Sequence, residues 1–558
     1  MESIASTSAK PATRKHEGGV KDTIESILVA FILAFIFRAF VVEAFVIPTG
    51  SMAPTLMGAH MRFQCPDCGY HFTADYRTGE DLDAPSRAVV VVNNEVKPRV
   101  FSVICPNCGY RLPRESKEDP ETDASAPRVD FGDRILVLKY LYLFSDPARW
   151  DVVVFKSPAD PKYQQNYIKR LVGKPGESLM VLDGDIYVGK KDDKITDYQI
   201  QTKPRSAQEA MWRVVYDNDY QPRNAGDERN VYDPYGRKLK DDVRWRQPWI
   251  EQVGGNGWST GSNKPGERLF TFNNTNGSST LLFDPPSNSL NRPLSTWLGY
   301  NVTSSQFGHV LDTYISESSS TFDPVSDLKL AFFYQRTAGD GPLRLTLSKN
   351  DTTFVAEIYP NRVRLMRADG QGKEVEIATS SWTAPTTPAQ VEFTNVDYRV
   401  ALRIDGEDLL VTTKEQYHPD VAERVRAYES NTKAARPTIS IAAANQTATL
   451  QHISLWRDVY YTNRGERGYT EPKWGTPSNP VHLGEDEFFT MGDNSSNSSD
   501  ARYWEAPIHL PNEDLDVQAG RVPGRFMLGK AFFVYWPAGY RIKDKGIIPD
   551  FGDMRFIH

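Results

Sequence analysis

Asp151-Val-Val-Val-Phe155, Tyr167-Ile-Lys-Arg-Leu-Val-Gly-Lys-Pro-Gly-Glu177 and Ser178-Leu-Met-Val-Leu182-Asp-Gly-Asp185-Ile-Tyr-Val188 follow one another closely along the chain. Each begins or ends as a short run of β-branched and other apolar residues. Ser-Pro, Pro-Gly and Asp-Gly separate them, which is how antiparallel strands joined by hairpins are written. Leu182-Asp183-Gly184-Asp185 is the clearest hairpin turn, because Asp-Gly supplies the positive φ angles of a two-residue loop. With Arg134 to Tyr140 before them, these runs predict a twisted antiparallel sheet and make the chain mainly β.

Upstream of the sheet lies a different kind of sequence. Residues 1–23 are polar, carry Lys10, Arg14, Lys15 and Lys21, and show no apolar periodicity, so they are expected to be a disordered tail. Ile24 to Val46 is apolar except for Glu25, Ser26, Arg38 and Glu43, with an unbroken run from Ile27 to Phe37. A spanning helix needs roughly 20 mostly apolar residues, so an anchor over 24–45 is expected to cross a bilayer only marginally, with Arg38 and Glu43 at the far interface. The basic tail would then stay cytoplasmic and the rest be exported. A cleaved secretory signal peptide competes with the anchor, but Arg-Ala-Phe-Val-Val-Glu-Ala-Phe after the apolar run offers no small-x-small cleavage site.

Cys65-Pro-Asp-Cys68-Gly-Tyr and Cys105-Pro-Asn-Cys108-Gly-Tyr are near copies and contain all four cysteines. Paired knuckles of this kind signal a zinc ribbon over 61–128, with a closed, structural four-sulfur site. Disulfides are the alternative, which an exported location permits. Downstream of the sheet, residues 191–265 are polar and give no fold. From about 266 to 460 strand signals recur at regular spacing, among them Leu328 to Tyr334, Leu343 to Leu347, Thr353 to Tyr359 and Tyr398 to Ile404, which predicts a β-sandwich of many strands. Its closing pattern, Val391 to Leu410 and then Leu450 to Trp456, is similar to concanavalin- or laminin-G-like jelly rolls. A carbohydrate or protein ligand of that sandwich is an open possibility.

At 558 residues, 25% charged and net −7, the chain is multidomain and mostly ordinary globular material. No basic stripe points to nucleic acid. Gly257-Trp-Ser-Thr-Gly261 formally matches a nucleophile elbow but lacks the strand before it and the helix after it.

The chemistry concentrates in three segments. Phe45-Val-Ile-Pro-Thr49-Gly-Ser51-Met52-Ala-Pro-Thr-Leu56 places a serine in a turn stiffened by two prolines. A serine needs a base within hydrogen-bond reach, and none of the nine histidines is an evident partner. A lysine serves if burial lowers its pKa from about 10.4 by roughly 2 to 3, and Lys169 sits mid-strand with apolar neighbours. Met491-Gly-Asp493-Asn-Ser-Ser-Asn-Ser498-Ser-Asp500-Ala-Arg502 is a hydroxyl-rich loop whose Asp-x-Arg pair suits pinning a loop beside a buried amine.

The ordered set Ser-Met-x-Pro-Thr-Leu (51 to 56), Gly-Asp-Arg-Ile-Leu-Val-x-Lys (132 to 139), Tyr-Ile-Lys-Arg-Leu-Val-Gly-x-Pro-Gly (167 to 176) and Gly-Asp-Asn-Ser-x-x-Ser-x-Asp-x-Arg (492 to 502) resembles bacterial signal peptidase I. The resemblance covers about 45–190 and 480–540. It implies a catalytic domain in three parts, 46–60, 129–190 and 461–558, interrupted by the ribbon, the polar stretch and the sandwich. It implies Ser51 as nucleophile, Lys169 as general base, and the Ser51 N–H with the Thr49 hydroxyl as oxyanion donors. Ser498 would orient the Lys169 amine, Asp493, Asp500 and Arg502 would support the site, and Met52 would help place it near the membrane surface. No catalytic cofactor is implied. The implied partners are signal peptides of exported preproteins, cut after small residues, and membrane lipid, with the enzyme in the bacterial cytoplasmic membrane, single-pass, facing the exported (periplasmic) side. Ala501 departs from the family pattern, where many members carry serine. Two other readings compete: a membrane-tethered binding protein with an inactive protease remnant, and a repressor-type Ser/Lys autoprotease, which the absence of a DNA-binding module disfavours.

Overall fold

A computed structural model describes residues 20–76, 89–92, 95–98, 101–114, 129–158, 165–223, 245–261, 268–285, 294–301, 322–464, 471–505, 508–510, 515–537, 540–541, 547–548 and 550–558. The expected tail falls almost wholly outside them, as do parts of the expected ribbon and of the polar stretch.

Strands from distant parts of the chain form one antiparallel sheet, in the order Val42–Val46, Arg134–Leu138, Met527–Trp536, Val152–Lys156, Asn166–Gly173, Glu487–Met491 and Val522–Pro523. Alternation sets its faces. Ile135 and Val137 are fully buried, with Arg134, Leu136 and Leu138 only partly covered between them. A core of Ile47, Met52, Leu56, Ile135, Val137 and Ile168 packs on one side of this sheet, beneath the turn that carries Ser51. Beside it the hairpin Ser178–Leu182 and Asp185–Gly189 turns through Asp183 and Gly184, both at positive φ as the Asp-Gly pair requires.

The N-terminal helix runs Val20–Phe40, and Val42–Val46 is already a strand paired with Arg134–Leu138. The expected anchor over 24–45 is corrected here at its far end. Val42, Phe45 and Val46 are β-branched or aromatic and the whole segment finds cross-strand partners, so Glu43 lies on the sheet, ion-paired with Lys139. Among the described residues, no helix is long and apolar enough to cross a membrane. The unbroken apolar run from Ile27 to Phe37 would cover only about 16 Å at a helical rise of about 1.5 Å per residue.

Where the sequence predicts a ribbon, the strands His60–Gln64, His71–Asp75 and Val129–Asp130 form a small sheet. Its two knuckles are copies in structure as in sequence. Cys65 N–H bonds to the Tyr70 carbonyl and Gly69 N–H to the Cys65 carbonyl, and Cys105, Tyr110 and Gly109 repeat the pattern. Gly69 and Gly109 both sit at positive φ, 81° and 72°, where a side chain would be strained.

The region expected to form a sandwich is one sheet of 13 strands whose spine is Ile439–Arg457. That strand pairs with Leu343–Lys349 and then Leu328–Gly339 along one edge, and with Phe270–Phe283 along the other. Leu328, Leu330, Phe332 and Tyr334 alternate into a closed core with Phe270, Phe272 and Leu281. The stretch 191–265, to which the sequence gives no fold, belongs partly to this sheet: Arg213–Asp217 pairs with the spine, and Trp249–Glu251 and Trp258–Ser259 pair with Phe270–Phe283. Ser259 of the elbow-like motif therefore lies on a sheet strand.

Candidate active site

Ser51 occupies a one-turn 3-10 helix, Gly50–Met52, set against the strand Asn166–Gly173. The Lys169 Nζ lies 2.8 Å from the Ser51 Oγ and donates to the Ile168 carbonyl at 3.0 Å. Both side chains are buried, at 7% and 5% exposure. Burial drives the Lys169 amine down from 10.5 to about 8, with Asp500 and Asp493 opposing and Arg502 assisting.

The two carboxylates nearest this amine are already engaged. Asp493 accepts from Arg170 Nε at 2.8 Å and Nη2 at 2.7 Å. Burial alone would raise the Asp493 carboxyl, but the Arg170 charge and its two bonds hold it below the usual range. Asp500 accepts from Arg502 Nε and Nη2, both at 2.8 Å, and from the Gly492 N–H. The rest of the Arg502 guanidinium donates to Thr462 and Ser495. Each pair is bidentate and fully desolvated, the geometry in which such bonds are strongest.

The sequence-expected residues therefore converge, with two exceptions. Ser498 Oγ is buried but makes no hydrogen bond among the described residues, so the expected contact with the Lys169 amine is not made in this arrangement. Met52 is fully buried in the core beneath the sheet, because an apolar thioether gains by packing there. The expectation that it sets the site against the membrane surface is corrected. Thr49 is exposed beside the turn, and its side chain makes no capping bond to it. Ala501 is buried and contributes only its backbone N–H, to the Thr490 carbonyl.

The sulfurs of Cys65, Cys68, Cys105 and Cys108 all lie within 4.8 Å of one another. Cys65 to Cys108 and Cys68 to Cys105 are each 3.7 Å, far beyond a disulfide bond of about 2.05 Å. Four sulfurs at about 2.3 Å from a tetrahedral zinc would be about 3.8 Å apart, so the donor set fits that ion.

The sequence matches the family described as signal peptidase, peptidase S26, over residues 20–97, 119–233 and 400–536, more than half of the chain. The chain belongs to this family. Among curated relatives, the probable signal peptidase I-2 of Synechocystis is 36% identical over 99 residues, 17% of this chain and 44% of that protein. The signal peptidase I of Rickettsia typhi is 25% identical over 172 residues, 31% of this chain and 44% of that protein. The chain thus spans less than half the length of these relatives. Among solved structures, the carbohydrate-binding module CBM66 of Bacillus subtilis is 12% identical and covers 37% of this chain and 94% of its own, with a TM-score of 0.21. That superposition is too weak to assign a fold.

In this S26 chain several site residues were not anticipated. Arg170 reads as one more basic residue in a strand, yet it is fully buried and ties the Lys169 strand to Asp493. Asn494 donates through its side chain to the Gly50 carbonyl at 2.9 Å and through its backbone to the Ser51 carbonyl at 3.0 Å. Asn494 in turn exchanges reciprocal 2.8 Å amide bonds with Asn301 of the insertion. Nothing in the sequence near residue 301 signals that reach. A second carboxylate cluster, Asp185, Asp327 and Asp397, lies between the hairpin and the sandwich. Lysine ammoniums fill it: Lys349 bonds Asp185 at 2.8 Å and Asp327 at 2.6 Å, and Lys203 pairs with Asp397 and Asp458.

Proposed function

We propose that the chain is a membrane-associated serine endopeptidase that removes signal peptides from exported preproteins, with Ser51 as nucleophile and Lys169 as general base. The observation that carries this reading is the 2.8 Å approach of a fully buried lysine amine to a serine hydroxyl. With its pKa near 8, about a tenth of the amine is neutral at pH 7, against well under a thousandth for an exposed lysine. A neutral amine has a lone pair to accept the Ser51 proton as Oγ attacks the scissile carbonyl. One of its N–H groups stays on the Ile168 carbonyl, and the Ser498 hydroxyl, buried without a partner among the described residues, is the group proposed to orient the other.

The developing oxyanion is held by the Ser51 N–H and the Thr49 hydroxyl, each such donor being worth about 3 kcal/mol. Lys169 then returns its proton to the leaving amine, giving an ester on Ser51. A water molecule, deprotonated by the same amine, hydrolyses that ester. Arg170 and Arg502 engage Asp493 and Asp500, which leaves the amine without a carboxylate partner. The four thiolates of Cys65, Cys68, Cys105 and Cys108 would hold a structural zinc that ties the two knuckles together.

Membrane association rests on the helix Val20–Phe40, where Ile24, Leu28, Phe31, Ile32 and Phe35 are each more than half exposed. The test is cleavage of a preprotein with an Ala-x-Ala junction by solubilised protein, the cut located by mass. Cleavage after that junction by wild type and not by Ser51→Ala is expected. Equal inertness of both on several preproteins would overturn the reading in favour of a tethered binding protein. Metal analysis should find about one zinc per chain, and four oxidised cysteines without metal would remove the zinc from the account.

A further inference from the structure

A cavity of about 920 Å³ opens where the ribbon, the nucleophile turn and the insertion meet. Its volume lies near the upper end for ligand sites, and it sits at a domain junction, where such sites concentrate. Three features of its wall define what it can hold.

The first is a strand edge. His71, Phe72 and Thr73 are consecutive, and all three line the cavity. Their cross-strand partners Gln64, Phe63 and Arg62 line it as well, so the cavity follows both strands at this end of the hairpin and meets both of their faces. His71–Asp75 is the outer strand of its sheet, paired with His60–Gln64 on one side and with no strand on the other among the described residues. The 3-10 turn Gly299–Asn301 packs against this strand, with Tyr300 at Asp75, so the part of the edge left to accept an extended polypeptide by backbone hydrogen bonds is its His71–Thr73 end.

The second is a buried charge with no direct ion pair, on which Asp493 and Asp458 act only without contact. Arg213 lines the cavity at 6% exposure, and its bonds go to the Thr55 hydroxyl and to the carbonyls of Ala210 and Trp212. No carboxylate lies within ion-pair distance of it among the described residues, and burial pushes its guanidinium down to about 10. Beside it Trp212 carries a buried indole N–H with no hydrogen-bond partner among the described residues. A carboxylate entering here would meet a desolvated cation, while Trp297 and Trp456 offer apolar surface.

The third is position. Pro54 and Met57, three and six residues after Ser51, form part of the wall. Tyr300 forms another part, and it abuts the turn so closely that a Cβ on Gly50 would lie 2.8 Å from its ring. A chain held in the cavity is therefore within a few extended residues of the nucleophile.

We infer that this cavity is an exosite for an extended, acidic segment of the substrate polypeptide on the mature side of the cut, paired along the His71–Thr73 end of that edge with a carboxylate against Arg213. This rests on the peptidase reading for the source of the segment, but not for its chemistry. The site would select among preproteins by sequence well beyond the small residues at the junction.

The test has a binding arm and a cleavage arm. An octapeptide alternating Glu with Val and Phe, and its Lys-for-Glu counterpart, are titrated by fluorescence anisotropy into the full-length solubilised protein. The acidic peptide should bind at least tenfold tighter, Arg213→Gln should erase the difference, and Lys169→Ala should leave it intact. Trp297→Leu, which removes an apolar wall and no charge, should weaken both peptides. Equal binding of the two peptides to wild type overturns the site, as does tighter binding of an oligouronate, which would make it a saccharide site. In the cleavage arm, kcat/KM should favour a preprotein with Glu residues after the junction over one with Lys, several-fold in wild type and not in Arg213→Gln. Acidic-peptide binding with no such preference assigns the cavity to another polypeptide and overturns the exosite. If no preprotein is cleaved at all, the peptidase reading fails while the binding arm still decides the chemistry of the cavity.

Discussion

Lys169 in the protease sheet and Lys349 in the seam between the hairpin and the sandwich are both buried, and desolvation penalises the charged form of each. They end in opposite states. Lys349 contacts two carboxylates, Asp185 and Asp327, which raise its pKa well above the ordinary value despite burial. Lys169 contacts a hydroxyl and a carbonyl, and its pKa falls to about 8. Carboxylates are present near Lys169 as well, but Arg170 and Arg502 engage both oxygens of each. The difference teaches that burial alone does not make a lysine a base. What decides is whether nearby carboxylates are free to pair with it.

Ways of breaking that contrast differ in size. The largest effect is expected from Lys169→Ala and Ser51→Ala, each lowering preprotein cleavage at least about a thousandfold, because the two groups act as a unit. Lys349→Met should leave kcat/KM within a few-fold in the same assay. Its effect appears in stability instead. Removing that ammonium leaves Asp185 and Asp327 facing each other without compensation, and urea denaturation should show a loss of about 3 to 5 kcal/mol.

Lys169→Met should do the reverse. The folded pKa of about 8 lies below the unfolded value of 10.5. The charged amine thus disfavours folding at neutral pH, by up to about 3 kcal/mol. Wild-type stability should rise as pH climbs from about 8 to about 10, where the unfolded chain still holds the proton that the folded one has lost. The variant should be the more stable protein at pH 7, with the gap closing over that window. A variant less stable than wild type at pH 7 would mean the amine is held by favourable charge pairing. The smallest effect belongs to Asp500→Asn. The Asp500 carboxylate is the strongest group raising the Lys169 amine, so its loss should move the midpoint of the pH–rate curve downward, by roughly one pH unit or less.

Much of this site could be read from the sequence because its parts are local. A serine in a Pro/Gly turn, a lysine between apolar strand residues and an Asp-x-Arg loop are each ordinary alone, and become a site only because four short motifs, each read within a few positions, follow in the family's order. The duplicated Cys-Pro-x-Cys-Gly turns and the Asp183-Gly184 hairpin were legible for the same reason: a thiolate pair or a positive φ constrains its neighbours directly. What could not be read depends on distant partners. Val42–Val46 continues the apolar run of the helix, and only its register with Arg134–Leu138 makes it a strand. Arg213–Asp217 lies in a polar stretch without periodicity and becomes a strand by pairing with the spine of the sandwich. Asn301 reaches Asn494 across 193 positions of sequence, and no local pattern encodes such a contact. A membrane-facing Met52 is implied only by the family resemblance, whereas the turn points it inward.

The claim that Lys169 works as a neutral base because its neighbouring carboxylates are taken is tested most directly by the pH dependence of kcat/KM for wild-type cleavage of one preprotein, from about pH 6 to about pH 10.5. The account predicts a rate that rises with pH to a plateau with its midpoint near 8, the value for the buried amine. A profile still climbing through about pH 10, as an unperturbed lysine would give, would contradict it.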